Sequence, residues 1–279
     1  MKEKNTPKAA PFEKTKLPDI KNLIVVASGK GGVGKSTVAA GLALSLALEG
    51  YSVGLLDADL YGPSVPTLFH LQNERPGTSE HDGKTRIEPI SRFGIKIMSV
   101  GFFIDPAQAV LWRGPMASNA LKQLIQETNW GKLDYLIIDT PPGTGDIHLT
   151  LLQQYEISGA VIVTTPQLIA LDDVQKAIAM FRNEHVAVPI LGIVENMAWF
   201  TPSKHPDEKY FIFGHGGGKK LSEVFGIPLV AQIPVHEALC ESCDGGRLNI
   251  LVRDDNIKTA FSGLVDGVLA HQAQEGTHG

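Results

Sequence analysis

The residues best suited to chemistry in this chain form a glycine-rich segment at residues 29–36, with the sequence GKGGVGKS. They fill every fixed position of the pattern G-x-x-x-x-G-K-[ST], in which backbone N–H groups surround phosphates. In that pattern the lysine reaches the β- and γ-phosphates and the hydroxyl holds Mg²⁺. The segment predicts ATP binding, and the residues expected to contact ATP are Gly29, Lys30, Gly31, Gly32, Val33, Gly34, Lys35, Ser36 and Thr37.

The segments on either side of this loop are of the kind that hold such a loop in place. Residues 23–27 form a short apolar run rich in β-branched side chains, which indicates a buried strand of a parallel sheet. After the loop, apolar residues recur at helical spacing over residues 37–49, and Gly50 follows as a helix-ending glycine. The order strand, glycine loop and helix makes the short motif a strong signal.

Polar side chains end three further apolar runs. Residues 52–56 lead into Asp59, and residues 135–138 lead directly into Asp139. Ligands of open α/β sheets bind beyond the carboxyl ends of the strands, so we expect these carboxylates near the nucleotide. We assign Asp59 to the attacking water, with turn capping as the alternative, and Asp139 to Mg²⁺ as the acid of a Walker B pattern. The third run, residues 190–194, is predicted to be a strand that ends before Glu195 and Asn196. Asn196 is expected to bind the adenine edge, with a plain turn role as its alternative.

The remaining runs define the fold. Six or more β runs alternate with helical segments, which indicates an α/β fold with a doubly wound, mainly parallel sheet. Residues 1–20 are polar and are expected to form a flexible tail. Residues 21–272 are expected to form a single P-loop ATPase domain, and residues 273–279 a second flexible tail. The polar residues 73–92 are interpreted as an excursion from the sheet in the form of a hairpin.

Composition limits the classes of partner. The formal net charge of −5 argues against a surface built to bind nucleic acid. No apolar run of about 18 residues is present, and the first residues lack the apolar core of a signal peptide. We therefore expect neither nucleic-acid nor membrane binding, and we predict a cytoplasmic location.

Lys30 adds information because one nucleotide already has Lys35 for its phosphates. A lysine directly after the first glycine resembles the signature lysine of the deviant Walker A class of P-loop NTPases, which reaches the nucleotide of a dimer partner. The resemblance implies a homodimer that closes when ATP is bound, with Lys30 as a catalytic residue beside Lys35 and Asp59. A solvated surface lysine is the alternative interpretation.

Most of the chain resembles the Mrp/ApbC family of iron-sulfur cluster carriers, among the deviant Walker A ATPases that include the Min and Par proteins. The segments Tyr-Gly-Pro-Ser at residues 61–64 and Phe-Gly-x-Gly-Gly-Gly at residues 213–218 separate this branch from the Min and Par relatives. The resemblance implies a homodimeric ATPase that carries an iron-sulfur cluster of the 4Fe-4S type to apoproteins. The matching stretches are residues 29–37, 57–64, 112–116, 139–146, 163–167, 195–197 and 212–218.

The chain departs from that family where the cluster ligands are expected. Family members carry a Cys-x-x-Cys pair just after the Asn-Met segment, whereas residues 201–205 here are Thr-Pro-Ser-Lys-His. The two cysteines of this chain are Cys240 and Cys243. Their i, i+3 spacing puts both thiols on one helix face, and two such faces about a dimer axis supply the four sulfurs of a cubane cluster. A structural role and redox chemistry are the alternatives.

These observations predict an ATP-binding and ATP-hydrolysing homodimer that binds iron-sulfur clusters and transfers them to apoproteins. The alternative is an ATP-switched scaffold or localisation ATPase of the Min/Par type without a cluster. The missing family cysteines favour the scaffold, and the branch-specific segments favour the carrier. A reductase component that passes electrons through a bridging cluster is a third hypothesis.

Overall fold

Strands and helices alternate through the residues that the computed structural model describes, which are 14–81, 83–103, 114–167, 170–202, 204–205, 207–248 and 254–275. The strands are β1 (Ile20–Ser28), β2 (Val53–Asp57), β3 (Thr78–His81), β4 (Lys84–Ile87), β5 (Ile90–Arg92), β6 (Ile95–Ser99), β7 (Leu133–Asp139), β8 (Gly159–Thr164), β9 (Ile190–Phe200) and β10 (Leu229–Val235). The helices are α1 (Lys35–Leu48), α2 (Val65–Leu68), α3 (Gly114–Gln126), α4 (Asp146–Gln154), α5 (Ala170–Phe181), α6 (Gly217–Phe225), α7 (Glu237–Asp244) and α8 (Asp255–Glu275).

One sheet of eight strands organises the fold, in the order β10-β9-β8-β1-β7-β2-β6-β5. All its pairings are parallel except the antiparallel pair of β5 and β6 at one edge. Strand β1 lies between β7 and β8, and the chain builds outward from it in both directions. The predicted doubly wound, mainly parallel α/β sheet is confirmed. Its central strands are buried on both faces, which explains their nearly continuous apolar sequences.

The polar excursion after β2 consists of two hairpins. Strands β3 and β4 pair with each other in a separate antiparallel sheet, and β5 turns back to pair with β6. The sequence predicted a hairpin here but not its division into two. The sequence analysis also did not predict helices α4 and α6, because each follows a glycine-rich segment that is typical of a turn.

The described structure continues past both predicted tail boundaries. The N–H of Thr15 donates to the carbonyl of Gln154 at 2.7 Å, and the N–H of Glu156 donates to the carbonyl of Thr15 at 3.2 Å. Residues 14–20 therefore lie along the domain, which their polar composition does not reveal. Helix α8 runs to Glu275, past the predicted boundary at residue 272. Residues 1–13 and 276–279 lie outside the described residues.

Helix α1 is buried along most of its length because it packs against the sheet and against α8. A methyl group added at Gly41 of α1 would come within 2.0 Å of the Phe261 ring of α8, so glycine is needed where the two helices cross. This close packing fixes the start of α1, where the predicted phosphate loop ends. Among the described residues, no helix combines the length and the apolar composition of a membrane span.

Candidate functional site

The glycine loop joins the carboxyl end of β1 to the first residue of α1, Lys35. Gly34 has a left-handed φ of +80° directly before the helix. An added Cβ would lie 2.2 Å from Nδ2 of Asn196 at Gly34 and 2.3 Å from the backbone of Asp173 at Gly29. Packing against neighbouring elements thus requires glycine at both positions. The start of α1 directs its free N–H groups and its positive dipole end toward the loop.

A cavity of about 600 Å³ lies against this loop, within the size range of small-molecule sites. Its wall combines the loop with the turn after β2, with Pro142 after β7 and with the end of α7. A second cavity of about 610 Å³ lies at the opposite ends of β1 and β7, where no glycine loop is present among its lining residues. The two cavities have nearly the same volume, so the residues that line them, rather than their size, identify the candidate site.

A buried ion pair forms the centre of the site. Nζ of Lys35 lies 2.5 Å from Oδ1 of Asp139, and the two side chains are 6% and 0% exposed. The Ser36 hydroxyl interacts with the same carboxylate and favours its charged form. Burial raises the pKa of Asp139, and the Lys35 ammonium and the Ser36 hydroxyl oppose that shift. The structure thus brings together three residues that the sequence assigned to one site.

The second carboxylate oxygen of Asp139 is suited to a magnesium site. Oδ2 is buried and has no hydrogen-bond partner within the described part of the chain. A buried carboxylate oxygen without a partner is costly unless water or an ion completes it. Asp139 and the neighbouring hydroxyl of Ser36 are hard oxygen ligands, which Mg²⁺ prefers. The residues present therefore fit the predicted ion.

Asp59 lies on the cavity wall and is 8% exposed. Its Oδ1 accepts hydrogen bonds from the N–H groups of Tyr61 and Gly62, each at 3.2 Å. The turn after β2 therefore fixes the carboxylate at the cavity, so Asp59 both caps this turn and lines the cavity. The role of Asp59 toward the attacking water stays a prediction.

Asp57, the last residue of β2, is a further buried carboxyl to which the sequence pattern gives no role. It pairs in register with Asp139 of β7. Its Oδ2 accepts hydrogen bonds from the Val65 N–H at 3.1 Å and from the Ser99 hydroxyl at 3.0 Å. Burial, followed by the charge of Asp139, raises the pKa of Asp57 to about 8. Asp57 is then mainly protonated at pH 7, which limits the negative charge beneath the loop.

Lys30 and Asn196 both bind neighbouring protein groups in this structure. Nζ of Lys30 donates to Oε1 of Gln167 at 3.1 Å. Nδ2 of Asn196 donates to the carbonyl of Val33 at 2.8 Å, and the residue is 8% exposed. Asn196 thus supports the loop from within β9. The expected contacts of Asn196 with adenine and of Lys30 with a partner's nucleotide stay predictions.

The two cysteines lie one turn apart on α7, with Cys240 exposed and Cys243 half-buried. Cys243 lines the loop cavity together with Thr37, whose side chain interacts with the Cys243 thiol. Burial raises the pKa of Cys243 to about 11, whereas cluster ligands are thiolates. Within the described residues, no group of three or more His, Cys, Asp or Glu side chains is arranged to hold a metal ion. Ligation by this pair therefore requires Cys243 to leave Thr37.

His148, in the first turn of α4, is a residue that sequence reasoning missed. It is 1% exposed, and neither ring nitrogen has a hydrogen-bond partner among the described residues. Burial and then the charge of Lys35 lower the pKa of His148 to about 4, so the ring is neutral at pH 7. It lines a cavity of about 490 Å³ that shares Asp59 and Pro142 with the loop cavity. No local pattern marks this residue, because its surroundings come from distant segments.

The parallel sheet, the glycine loop at the carboxyl end of β1 and the Lys35–Asp139 pair together define a P-loop NTPase. A family model described as ParA, NUBPL iron-transfer P-loop NTPase matches residues 19–269. The chain belongs to that family. The resemblance to iron-sulfur cluster carriers, drawn above from the motifs, is confirmed.

Several relatives of known name are similar to the chain. The iron-sulfur cluster carrier protein of Aquifex aeolicus is 47% identical over 247 residues, which cover 88% of this chain and 66% of that protein. The carrier protein of Escherichia coli strain K12 is 49% identical over 258 residues, which cover 92% of this chain and 68% of that protein. The iron-sulfur cluster transfer protein NUBPL of Dictyostelium discoideum is 44% identical, with coverages of 87% and 74%. The chain spans about two thirds of the length of the first two of these relatives.

Solved structures agree with this assignment. A nucleotide-binding protein of Archaeoglobus fulgidus in complex with ADP has a TM-score of 0.71 and 40% identity, covering 82% of this chain and 88% of that one. The cell division ATPase MinD of Pyrococcus furiosus has a TM-score of 0.61 and 20% identity, covering 90% and 99%. The MinD likeness shows the shared fold alone.

Proposed function

We propose that this chain binds ATP, hydrolyses it in a Mg²⁺-dependent reaction, and carries iron-sulfur clusters as its cargo. The observation that carries the proposal is the buried Lys35–Asp139 pair at the base of a glycine-lined cavity. A buried ion pair stabilises a fold only weakly, so its position at a phosphate loop supports a role in binding. The cargo is supported by the names of the carrier relatives and by the branch-specific segments at residues 61–64 and 213–218.

The residues of the loop divide the work of binding. The loop N–H groups and the start of α1 bind the phosphates. The Lys35 ammonium contacts the β- and γ-phosphates in addition to Asp139. Ser36 and Asp139 hold Mg²⁺, which when bound neutralises charge on the β- and γ-phosphate oxygens. Asp59 orients the water that attacks the γ-phosphate. Asn196 keeps the loop in shape through its bond to Val33.

The proposed assembly is a homodimer that transfers clusters to apoproteins. Its proposed location is the cytoplasm, and nucleic acid and membranes are not among its proposed partners. In the closed dimer, Lys30 leaves Gln167 and contacts the partner subunit's nucleotide. The hydrogen bond that it gives up is worth about 1.5–3 kcal/mol, because its donor is charged. A charged phosphate oxygen is a stronger acceptor for the ammonium than the Gln167 amide oxygen, so it can replace that bond.

The cysteine count limits how the cargo is held. The chain has two cysteines, so a 4Fe-4S cluster bound only by protein sulfur uses Cys240 and Cys243 from each of two subunits. Cys240 is exposed and needs no rearrangement, whereas Cys243 has to turn away from Thr37. This arrangement places the proposed cargo at the rim of the nucleotide cavity.

Nucleotide binding is tested by titration calorimetry with ATP and Mg²⁺, together with a phosphate-release assay. We expect Lys35→Ala to abolish turnover, with circular dichroism showing that the variant is folded. Lys21→Ala is the matched control, because Lys21 is 75% exposed and pairs with Asp134 at the other end of β1. Absence of ATP uptake by folded wild-type protein, or wild-type turnover in Lys35→Ala, would contradict the nucleotide assignment.

Cargo binding is tested separately by anaerobic reconstitution with iron and sulfide, followed by visible absorbance and transfer to an apo-aconitase acceptor. We expect wild-type protein to gain cluster absorbance and the Cys240→Ser/Cys243→Ser variant to lose it. Cluster absorbance that remains in the double variant would refute Cys240 and Cys243 as the ligands, but it would not refute cluster binding itself. ATP binding with no cluster in any preparation would favour the scaffold ATPase of the Min/Par type.

A further inference from the structure

One thiol of a pair on α7 reaches the nucleotide cavity from outside the glycine loop. Cys243 and Asp244, at the end of α7, line that cavity together with Thr37, and the Thr37 side chain interacts with the Cys243 thiol. Thr37 lies in the first turn of α1, directly after the proposed Mg²⁺ ligand Ser36. Cys243 thus contacts the helix that begins the phosphate site.

Cys240 connects this thiol to the surface. It is exposed and lies one helical turn before Cys243. In an α-helix, Cα atoms three residues apart are separated by about 5 Å, which follows from the rise and radius of the helix. Disulfides form across Cα separations of about 4.4–6.8 Å, so the backbone of α7 already meets this requirement.

We propose that Cys240 and Cys243 form a reversible disulfide and that this disulfide weakens nucleotide binding in the loop cavity. The inference rests on the proposed nucleotide-binding function. To bond with Cys240, the sulfur of Cys243 has to turn from Thr37 toward the outer face of α7. Thr37 then loses its side-chain partner, and the last turn of α7, which carries Asp244, has to adjust beside the cavity.

The chemistry is a thiol–disulfide exchange with a low-molecular-weight disulfide as the oxidant. The exposed Cys240, as thiolate, attacks one sulfur of the oxidant, forms a mixed disulfide and releases one thiol. Cys243 loses its proton to solvent and attacks the Cys240 sulfur, which forms the intramolecular S–S bond and releases the second thiol. Two electrons pass from the protein to the oxidant, and the two thiol protons end on the two released thiols.

Thermodynamic linkage makes the inference quantitative. If the disulfide lowers nucleotide affinity by some factor, saturating nucleotide must disfavour the disulfide by the same factor. Nucleotide stabilises the dithiol state in this scheme, so it shifts the reduction potential of the pair to less negative values. A tenfold loss of affinity corresponds to a shift of about 30 mV for this two-electron couple.

The experiment uses the full chain in buffers that contain oxidised and reduced glutathione at set ratios. Mass spectrometry after alkylation reports the disulfide, and a fluorescent ATP analogue reports affinity. We expect at least a tenfold weaker affinity in the oxidised protein, and a potential less negative by about 30 mV or more with saturating nucleotide. In Cys240→Ser and in Cys243→Ser, the redox ratio should leave the affinity of each variant unchanged.

The outcomes separate this inference from the function on which it rests. If the reduced protein binds no nucleotide, the proposed function fails first. If the reduced protein binds and the oxidised protein, with its intramolecular disulfide verified by mass, binds equally well, the inference alone is overturned. It is also overturned if the oxidised buffer yields only free thiols or disulfides between two chains. The serine variants exclude effects of the buffer itself, because the chain has no other cysteine.

Discussion

Replacing Lys35 by methionine leaves Asp139 buried without its cation, and the cost can be derived from the site. The two charged atoms are 2.5 Å apart and the carboxylate is fully buried. Because burial raises the pKa of Asp139 and Lys35 opposes that shift, loss of Lys35 lets the carboxyl take up a proton in the folded state. The ordinary pKa of this group is 3.8, so the unfolded chain is ionised at neutral pH.

The destabilisation is therefore limited by the free energy of protonating an aspartate. That free energy is about 1.4 kcal/mol for each pH unit above the unfolded pKa, or about 4 kcal/mol at pH 7 and about 2 kcal/mol at pH 5. The sign follows from the raised pKa in the folded variant, since this stability is present at low pH and is lost as pH rises above 3.8. About 4 kcal/mol matches the usual cost of breaking a buried ion pair.

Urea unfolding of the nucleotide-free protein at pH 5 and pH 7 measures these differences. We expect Lys35→Met to lose about 4 kcal/mol at pH 7 and about half of that at pH 5. In Lys35→Met/Asp139→Asn no titrating carboxyl remains at the pair, so the pH dependence of the loss should disappear. A loss below about 1 kcal/mol at pH 7, or an equal loss at both pH values, would refute the argument.

Three further predictions concern residues around the site. Between pH 7 and pH 4.5 the wild type should lose about 2–3 kcal/mol of stability, because the lowered pKa of His148 makes the folded state resist protonation, and His148→Gln should remove this loss. Urea unfolding that shows the same pH dependence of stability in both proteins would contradict this. Gly41→Ala should destabilise the protein by about 1–3 kcal/mol by overpacking, and Phe261→Leu in that background should recover part of the loss in the same assay. Asn196→Ala should cost about 1–2 kcal/mol in thermal or urea unfolding, because the Val33 carbonyl loses its donor; an unchanged midpoint would show that water replaces the amide.

Local pattern was enough to predict the phosphate loop and its flanks, because each element depends on residues close in the chain. The predicted strand at residues 23–27 lies within β1, and the helix predicted from residue 37 begins at Lys35. Strand β9 was predicted to end at residue 194 because polar residues follow. It continues because buried Glu195 accepts hydrogen bonds from the Gly218 N–H and the Gln232 amide, partners that local sequence does not reveal.

The environment of each site residue could not be predicted in the same way. The sequence indicates that Asp139 ends a strand, but its contact with Lys35 spans 104 positions and depends on β7 lying beside β1. The His148 ring, which has no hydrogen-bond partner among the described residues, and the raised pKa of Asp57 likewise arise from burial by several distant elements.

The placement of the thiols bears on how nucleotide and cargo are coupled in this chain. The family pattern puts the cysteine pair in the segment after Asn196, whereas here the pair lies on α7, which forms part of the nucleotide cavity wall. Cluster binding and disulfide formation both require Cys243 to leave Thr37, so each competes with the same contact at the start of α1. Loss of this one contact accounts for only part of the coupling, because a single neutral interaction is worth about 1 kcal/mol whereas a tenfold change of affinity corresponds to about 1.4 kcal/mol. The tenfold or larger change expected above therefore requires the last turn of α7, which carries Asp244, to move as well.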